Sequence, residues 1–351
     1  MNASAFIPAF SVFSRAVASK SPNNEVTQMK FATKLTFVVL FVLLAMNFLV
    51  AQKIQEGGAG ALHNTPDGKG GQSQNVLPAA PSGGAVVQGN GIVYHNGPVL
   101  KSAVVPIYII WYGNWSNGTH PSDSQTTVNL IDALLGSSGG IGGSGYERIN
   151  TTYSDTTGAV TGNLAFSSQI FDSYSQGTRL SDRTLQAVVS GHLTNHSLPT
   201  DPNGVYLVLT SSDVNETSGF CTKYCGFHTH GTLNGADIKY AFVGNVDRCP
   251  SGCEIQTTSP NGDSGADGMA NTITHETEEA ITDPDLNAWF DASGNEDADK
   301  CNFKFGPTQT ASNGSKFNQT FGTHNWMVQM EWENSRGGGC DQTLGGAFFT
   351  N

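Results

Sequence analysis

The sequence predicts one domain of the α/β or α+β class, a mixed sheet with helices packed against it. Three observations lead there. The stretch VVPIYIIWY (Val104–Tyr112) is β-branched and aromatic and apolar nearly throughout, which suits a strand buried on both faces. A helix-period pattern follows it directly in SDSQTTVNLIDALLG. Further strand-like and helix-like segments then intermix, with no internal repeat standing out.

The fold is expected to occupy only part of the chain. Residues 1–28 are polar and unpatterned and read as an extension with no fold, non-translated or disordered. Residues 29–51 read as a secretory signal peptide: Met29-Lys30 opens a short charged region, the apolar run KLTFVVLFVLLAMNFLV (Lys34–Val50) is too short to favour a membrane span, and Ala51 offers a cleavage point. Residues 52–88 are rich in Gly, Gln, Ala and Pro and read as a flexible leader. The domain itself is placed at residues 89–351.

Within it, Ser122 or Ser124 can cap a first helix with Val128, Ile131 and Leu135 on one stripe and Gly136 ending it. YERINTTYSD and NLAFSSQIFD read as strands. SDRTLQAVVSG is a second helix, with Leu185, Val188 and Val189 inward and Gly191 after it. VYLVLTSSDV (Val205–Val214) and KYAFVGNV (Lys239–Val246) are two more strands. GADGMANTITHETEEAITDP is a third helix, with Asp267 at its start and Pro284 as its stop. The remainder is loop-rich.

Charge and cysteine usage narrow the class. Counted from residue 52, 28 acidic and 13 basic side chains leave a net charge near −15, which argues against nucleic acid and anionic membrane surfaces as partners. Once the signal is removed no membrane association is expected, and a monomer is. Six cysteines in an exported chain imply disulfides, and proximity favours Cys221–Cys225, Cys249–Cys253 and Cys301–Cys340. The rival is a zinc site from the two C-x3-C pairs with His228 and His230. CGFHTHG between those pairs reads more simply as a stapled loop. Seven N-x-S/T sequons, at Asn114, Asn117, Asn150, Asn195, Asn215, Asn313 and Asn318, mark a glycoprotein in a host with that machinery.

The segment that carries chemistry is THETEEAITDP (Thr274–Pro284). It holds His275-Glu276-x-x-Glu279, a metalloprotease-like H-E-x-x-H signature with glutamate in place of the second histidine. On a helix, residues i and i+4 lie about 40° apart, so His275 and Glu279 share a face beside the apolar stripe of Met269, Ile273 and Ala280, while Glu278 points elsewhere. His275 and Glu279 can then ligate a divalent metal, and Glu276 can act as general base on a metal-bound water. Further ligands are sought in LNAWFDASGNEDADKC, where Glu296 and Asp299 rank first. Asp285 stands ten residues after His275 but lacks the Gly that turns the chain in long zinc signatures, since Thr282 occupies that place. Zinc is the metal expected. Calcium, held structurally by Asp291, Asn295, Asp297 and Asp299, is the alternative, although Glu296 stands where an EF-hand needs Gly. A solvated acidic face with a bystander histidine is the bland competitor. Trp326, Glu331 and Trp332 could line a sugar site, but core packing suits them better.

The blocks GNGIVYHNGPVL, VPIYIIWYGNWS, VYLVLTSSDV, FCTKYCGFH, KYAFVGN, CPSGC, PNGDSGADGM and ITDPDLNAWF occur in order. Together they closely resemble the plant phosphate-induced, or EXORDIUM-like, proteins, over about residues 90–351. The resemblance implies a secreted protein of the apoplast or cell wall, tied to growth and cell expansion, and supplies no catalytic residues. Two expectations follow. One is a secreted metal-dependent hydrolase, peptidase-like, acting on an extracellular peptide or wall polysaccharide through a zincin-like helix. The other is a non-catalytic extracellular protein with a structural acidic cluster.

Overall fold

Five strands build the central sheet of the computed structural model, which describes residues 91–116, 120–291 and 294–349. The extension, signal and leader expected before residue 89 lie outside the described residues. Strand β1 (Val105–Tyr112) is an inner strand, with Ile107, Ile109, Ile110 and Trp111 fully buried, as an apolar run without alternation requires. Helix α1 (Gln125–Leu134) follows, capped by Ser124, whose hydroxyl accepts from the Thr127 N–H. Strand β2 (Leu164–Asp172), helix α2 (Asp182–Thr194) and strand β3 (Val205–Thr210) come next. Strands β4 (Gly226–Leu233) and β5 (Ala236–Gly244) complete the sheet. Its order is β2-β1-β3-β5-β4; the first four strands are parallel and β4 closes one edge antiparallel to β5. The fold is thus a mixed α/β domain: α1 and α2 lie in the connections from β1 to β2 and from β2 to β3, whereas β3 reaches its parallel neighbour β5 by way of β4 without a helix.

Several element expectations are corrected. YERINTTYSD is not one strand: Glu147–Thr152 is a 3-10 turn and only Ser154–Asp155 pairs as β. The three-residue period wins because it buries Tyr146, Ile149 and Glu147, Asn150 together. Helix α2 runs through Gly191 to Thr194, since Ser181 and Thr184 form a full capping box at its start and Asn195 closes its end. CGFHTHG is not a stapled loop. It enters β4, turned back on β5 by Asn234 and Gly235, both at positive φ (49° and 79°), the conformation a two-residue hairpin turn demands.

That hairpin also decides the disulfides. Gly226 pairs with Val243, so the cysteines before β4 lie beside those after β5. The bridges are Cys221–Cys249 and Cys225–Cys253, not the local pairs, while Cys301–Cys340 forms as expected. Every described cysteine is bridged, so a cysteine zinc site is excluded. Asn150 is corrected as a glycosylation site: it is fully buried and its amide donates to Glu278. Trp326, Glu331 and Trp332 are all buried at 0–1 % exposure, in the core rather than at a sugar surface.

Helix α3 (Ser264–Thr282) is the axis of the site. Its cap is Asp263, which accepts from the Ala266 N–H; Asp267 stands in the first turn instead. The helix is buried on every side from Gly265 to Thr282. It packs against β3, β4 and β5 on one side, while the C-terminal segment covers the other. Asn271 Oδ1 accepts from the Gln329 N–H at 2.7 Å and the Ile281 carbonyl from the Leu100 N–H at 2.9 Å. A helix in that position has no solvent stripe to display.

Candidate metal centre

The solvated-face reading of THETEEAITDP fails on burial. Glu276, Glu278 and Glu279 are 1 %, 0 % and 0 % exposed. Glu278, expected to point away from any site, faces Glu147 and Asn150 in a second buried acidic pocket. Burial and the Glu147 charge hold the Glu278 carboxyl well above the ordinary glutamate range.

The one-turn spacing of α3 puts His275 Nε2 3.0 Å from Glu279 Oε1. Asp299, on the short helix α4 (Asp297–Lys300), brings its Oδ1 to 3.3 Å from the same nitrogen. Asp299 is aimed by its other oxygen, Oδ2, which accepts from the Glu296 N–H at 3.0 Å. Thr282 in turn donates to Asp297 Oδ2 at 2.9 Å and ties α4 to the end of α3. Glu296 does not join this triad. Its Oε2 lies 3.1 Å from Nε2 of His228, a β4 residue, and that nitrogen is also 3.6 Å from Glu279 Oε2. The four expected donors therefore converge, joined by His228, in two groups of three that share Glu279.

These separations have a chemical meaning. Two donors about 2.0–2.2 Å from one tetrahedral zinc lie roughly 3.3–3.5 Å apart. The four contacts, at 3.0 to 3.6 Å, bracket that value. Both oxygens of Glu279 are buried without a hydrogen bond, and so is Asp299 Oδ1, although a histidine nitrogen lies beside each. Burying a carboxylate this way is costly unless a cation or a proton compensates. Burial, then the charges of Asp299, Glu296, Glu276 and Asp297, push the Glu279 carboxyl well above its usual range.

The imidazoles are set in complementary ways. Gln329 Nε2 donates to the Ala298 carbonyl at 2.8 Å, which fixes the amide so that Oε1 must accept from His275 Nδ1, at 3.2 Å. The proton is thereby held on Nδ1, and Nε2 faces the carboxylates. Burial opposes charge on His275, but Asp299 and Glu276 beside it outweigh burial and raise its pKa. For His228 burial wins and the pKa is lowered, so the neutral, ligating form is favoured.

Glu276 points toward the sheet. A Cβ on Gly226 of β4 would meet its Oε1 at 3.1 Å, and its carboxylate accepts from the His228 backbone N–H. Burial pushes the group up to about 7, with His275 and His228 opposing. Asp285 stands apart with Lys239, at 3.1 Å, and His230, at 3.7 Å. Asp291, Asn295, Asp297 and Asp299 do not form a common calcium loop: Asp291 takes Lys300 at 2.9 Å and the Asn295 amide, and Asp297 takes Thr282. A surface cleft of about 750 Å³, lined by His120, Arg179, Lys223 and Arg248 among others, touches none of the α3 donors.

Gln329 is the site residue that sequence reasoning missed, while His228 was weighed only alongside the cysteines and set aside as part of a stapled loop. The Asn234-Gly235 turn between alternating segments was the available signal for β4, and so for His228 on its α3-facing side. Gln329 carried no signal, because a lone glutamine acquires its role only from what it touches.

Comparison with known proteins places the chain. It is 36% identical over 217 residues to Protein EXORDIUM-like 5 of Arabidopsis thaliana, covering 56% of this chain and 59% of that one. Protein EXORDIUM-like 3 of the same plant is 35% identical over 217 residues, covering 56% and 63%. Protein PHOSPHATE-INDUCED 1 of Nicotiana tabacum is 24% identical over 218 residues, covering 56% and 66%. The matched part thus spans about three-fifths of the length of the first two relatives. No solved structure matches the chain. Residues 92–325, from just before β1 to beyond α4, match the model of the phosphate-induced protein 1 conserved region, and the chain belongs to that family.

Proposed function

We propose that this chain is an extracellular protein whose α3 holds a divalent metal, zinc foremost, through His275, Glu279 and Asp299. The observation that carries the reading is Glu279: a fully buried carboxylate with no hydrogen bond on either oxygen, facing histidine nitrogens at ligand–ligand spacing. Imidazole nitrogen in the donor set favours zinc over calcium, which takes oxygen ligands. Three disulfides and the EXORDIUM-like relatives support the extracellular setting.

The geometry favours a structural centre. Structural zinc is enclosed by protein, whereas catalytic zinc keeps a position open to water and substrate. Here the side chains of His228, His275, Glu279, Glu296 and Asp299 are all 0–1 % exposed. The hydrolase reading, on a zincin-like helix with an extracellular peptide or wall polysaccharide as substrate, keeps one supporting observation. His275-Glu276-x-x-Glu279 sets a carboxylate with a pKa of about 7 next to a ligand.

Elemental analysis of the purified protein tests this. At least one zinc or other transition metal per chain is expected, lost in His275→Ala and Asp299→Ala variants that retain the wild-type circular dichroism. No metal, or calcium that survives His275→Ala, overturns it. Peptidase or glycan hydrolysis abolished by Glu276→Gln with metal retained would replace the structural reading by the hydrolytic one.

A further inference from the structure

We propose that the centre holds a second metal ion, ligated by His228, Glu279 and Glu296, so that Glu279 bridges two ions. This rests on the proposed His275 site and goes beyond it. The donor atoms form two sets of three, each set within 4.8 Å, with one histidine apiece and Glu279 in common. The two oxygens of Glu279 are divided between them: Oε1 faces His275 Nε2 at 3.0 Å and Oε2 faces His228 Nε2 at 3.6 Å. Neither oxygen has a hydrogen bond, and the side chain is fully buried. A single tetrahedral ion uses one oxygen of a carboxylate and leaves the other needing a hydrogen-bond donor. A bridging carboxylate uses both, and carboxylate-bridged pairs of ions sit about 3.5–4 Å apart.

Charge allows two ions. Glu279, Glu296 and Asp299 put three acidic groups within reach of two imidazoles in a buried space. One divalent ion leaves a net negative charge on these ligands when ionised, whereas two over-neutralise it by a single charge. The two positions are not equivalent. His275 is oriented by Gln329, whereas His228 Nδ1 is buried with no hydrogen bond to fix its ring. Outer-shell support of that kind is worth roughly 10–100-fold in metal affinity. The His275 position therefore fills first and the His228 position binds 10–100-fold more weakly.

The experiment is stoichiometric titration of chelator-stripped full-length protein with Zn2+, and with Co2+ for its visible spectrum, followed by elemental analysis. Two equivalents per chain, in two steps, are expected for the wild type. One equivalent is expected in His228→Ala, with the tighter step kept, and circular dichroism checks that this variant is folded. One equivalent in the wild type overturns the second ion and leaves the His275 site standing. None overturns both. Two equivalents retained in folded His228→Ala overturn the assignment to His228. Should that variant not fold, His228→Gln and the wild-type stoichiometry decide instead.

Discussion

Gln329 accepts a hydrogen bond from His275 Nδ1 at 3.2 Å while its own Nε2 donates to the Ala298 carbonyl at 2.8 Å. One amide thus sets the tautomer of the α3 histidine and links it to α4, which carries Asp299. Gln329→Ala is expected to lower metal affinity roughly 10–100-fold without removing a ligand. Competition against a calibrated chelator measures this, and unchanged affinity would show that the hydrogen bond does not orient the ring.

Cys301 follows α4 directly, so the Cys301–Cys340 bridge anchors the segment that presents Glu296 and Asp299. With a sequence separation of 39 between the cysteines, loop-closure entropy puts its contribution at about 4 kcal/mol. The double variant Cys301→Ser, Cys340→Ser should lower the denaturant midpoint accordingly and weaken metal binding with it. A stability loss with undiminished metal affinity would separate the bridge from the centre.

Gly226 opens β4 where α3 crosses it. A Cβ there would meet Thr272 Cγ2 at 2.6 Å and the Phe242 carbonyl at 2.7 Å. Gly226→Ala must push α3 off the strand that carries His228, at a cost of about 1–3 kcal/mol. Thermal unfolding should register that loss. An unchanged melting temperature would mean that the helix yields freely.

Away from the donors, burial pushes the Asp267 carboxyl up to about 7, helped by Asp263 and opposed by Ser259 and Asn261. In the unfolded chain its pKa is about 3.9. The folded state therefore holds the proton more tightly. Its stabilising contribution is full below about pH 4 and is lost as pH rises through 7. Asp267→Asn should flatten this slope and stabilise the protein at pH 8 by on the order of 2–4 kcal/mol. Denaturant midpoints from pH 4 to 8 test it. The same slope in the variant would assign the effect to other carboxyls.

Local pattern was enough for the elements that obey a single rule. β1 is apolar on both faces because it is an inner strand in the parallel part of the sheet, and α1 has Ser124 at its start because a helix end needs a cap. Pattern misled where tertiary contacts overrode it. On a wheel α3 has an apolar stripe and an acidic remainder, yet all of it is buried, because the C-terminal segment covers the side that the sheet does not. YERINTTYSD alternates weakly enough that a 3-10 turn burying Tyr146 and Ile149 displaces a strand.

By itself the sequence determined the mixed α/β class, the family blocks and the pairing of His275 with Glu279, since i and i+4 meet on any helix. It also confined the remaining acidic donors to the segment after α3. The tertiary structure alone decided that His228 faces Glu279, that Glu296 goes to His228 while Asp299 goes to His275, and that cysteines pair across the β4–β5 hairpin. The reason is the range of the interactions. Periodicity and caps act over a few residues, whereas His228 and Glu296 are 68 apart in sequence and meet only once the sheet, α3 and α4 have packed.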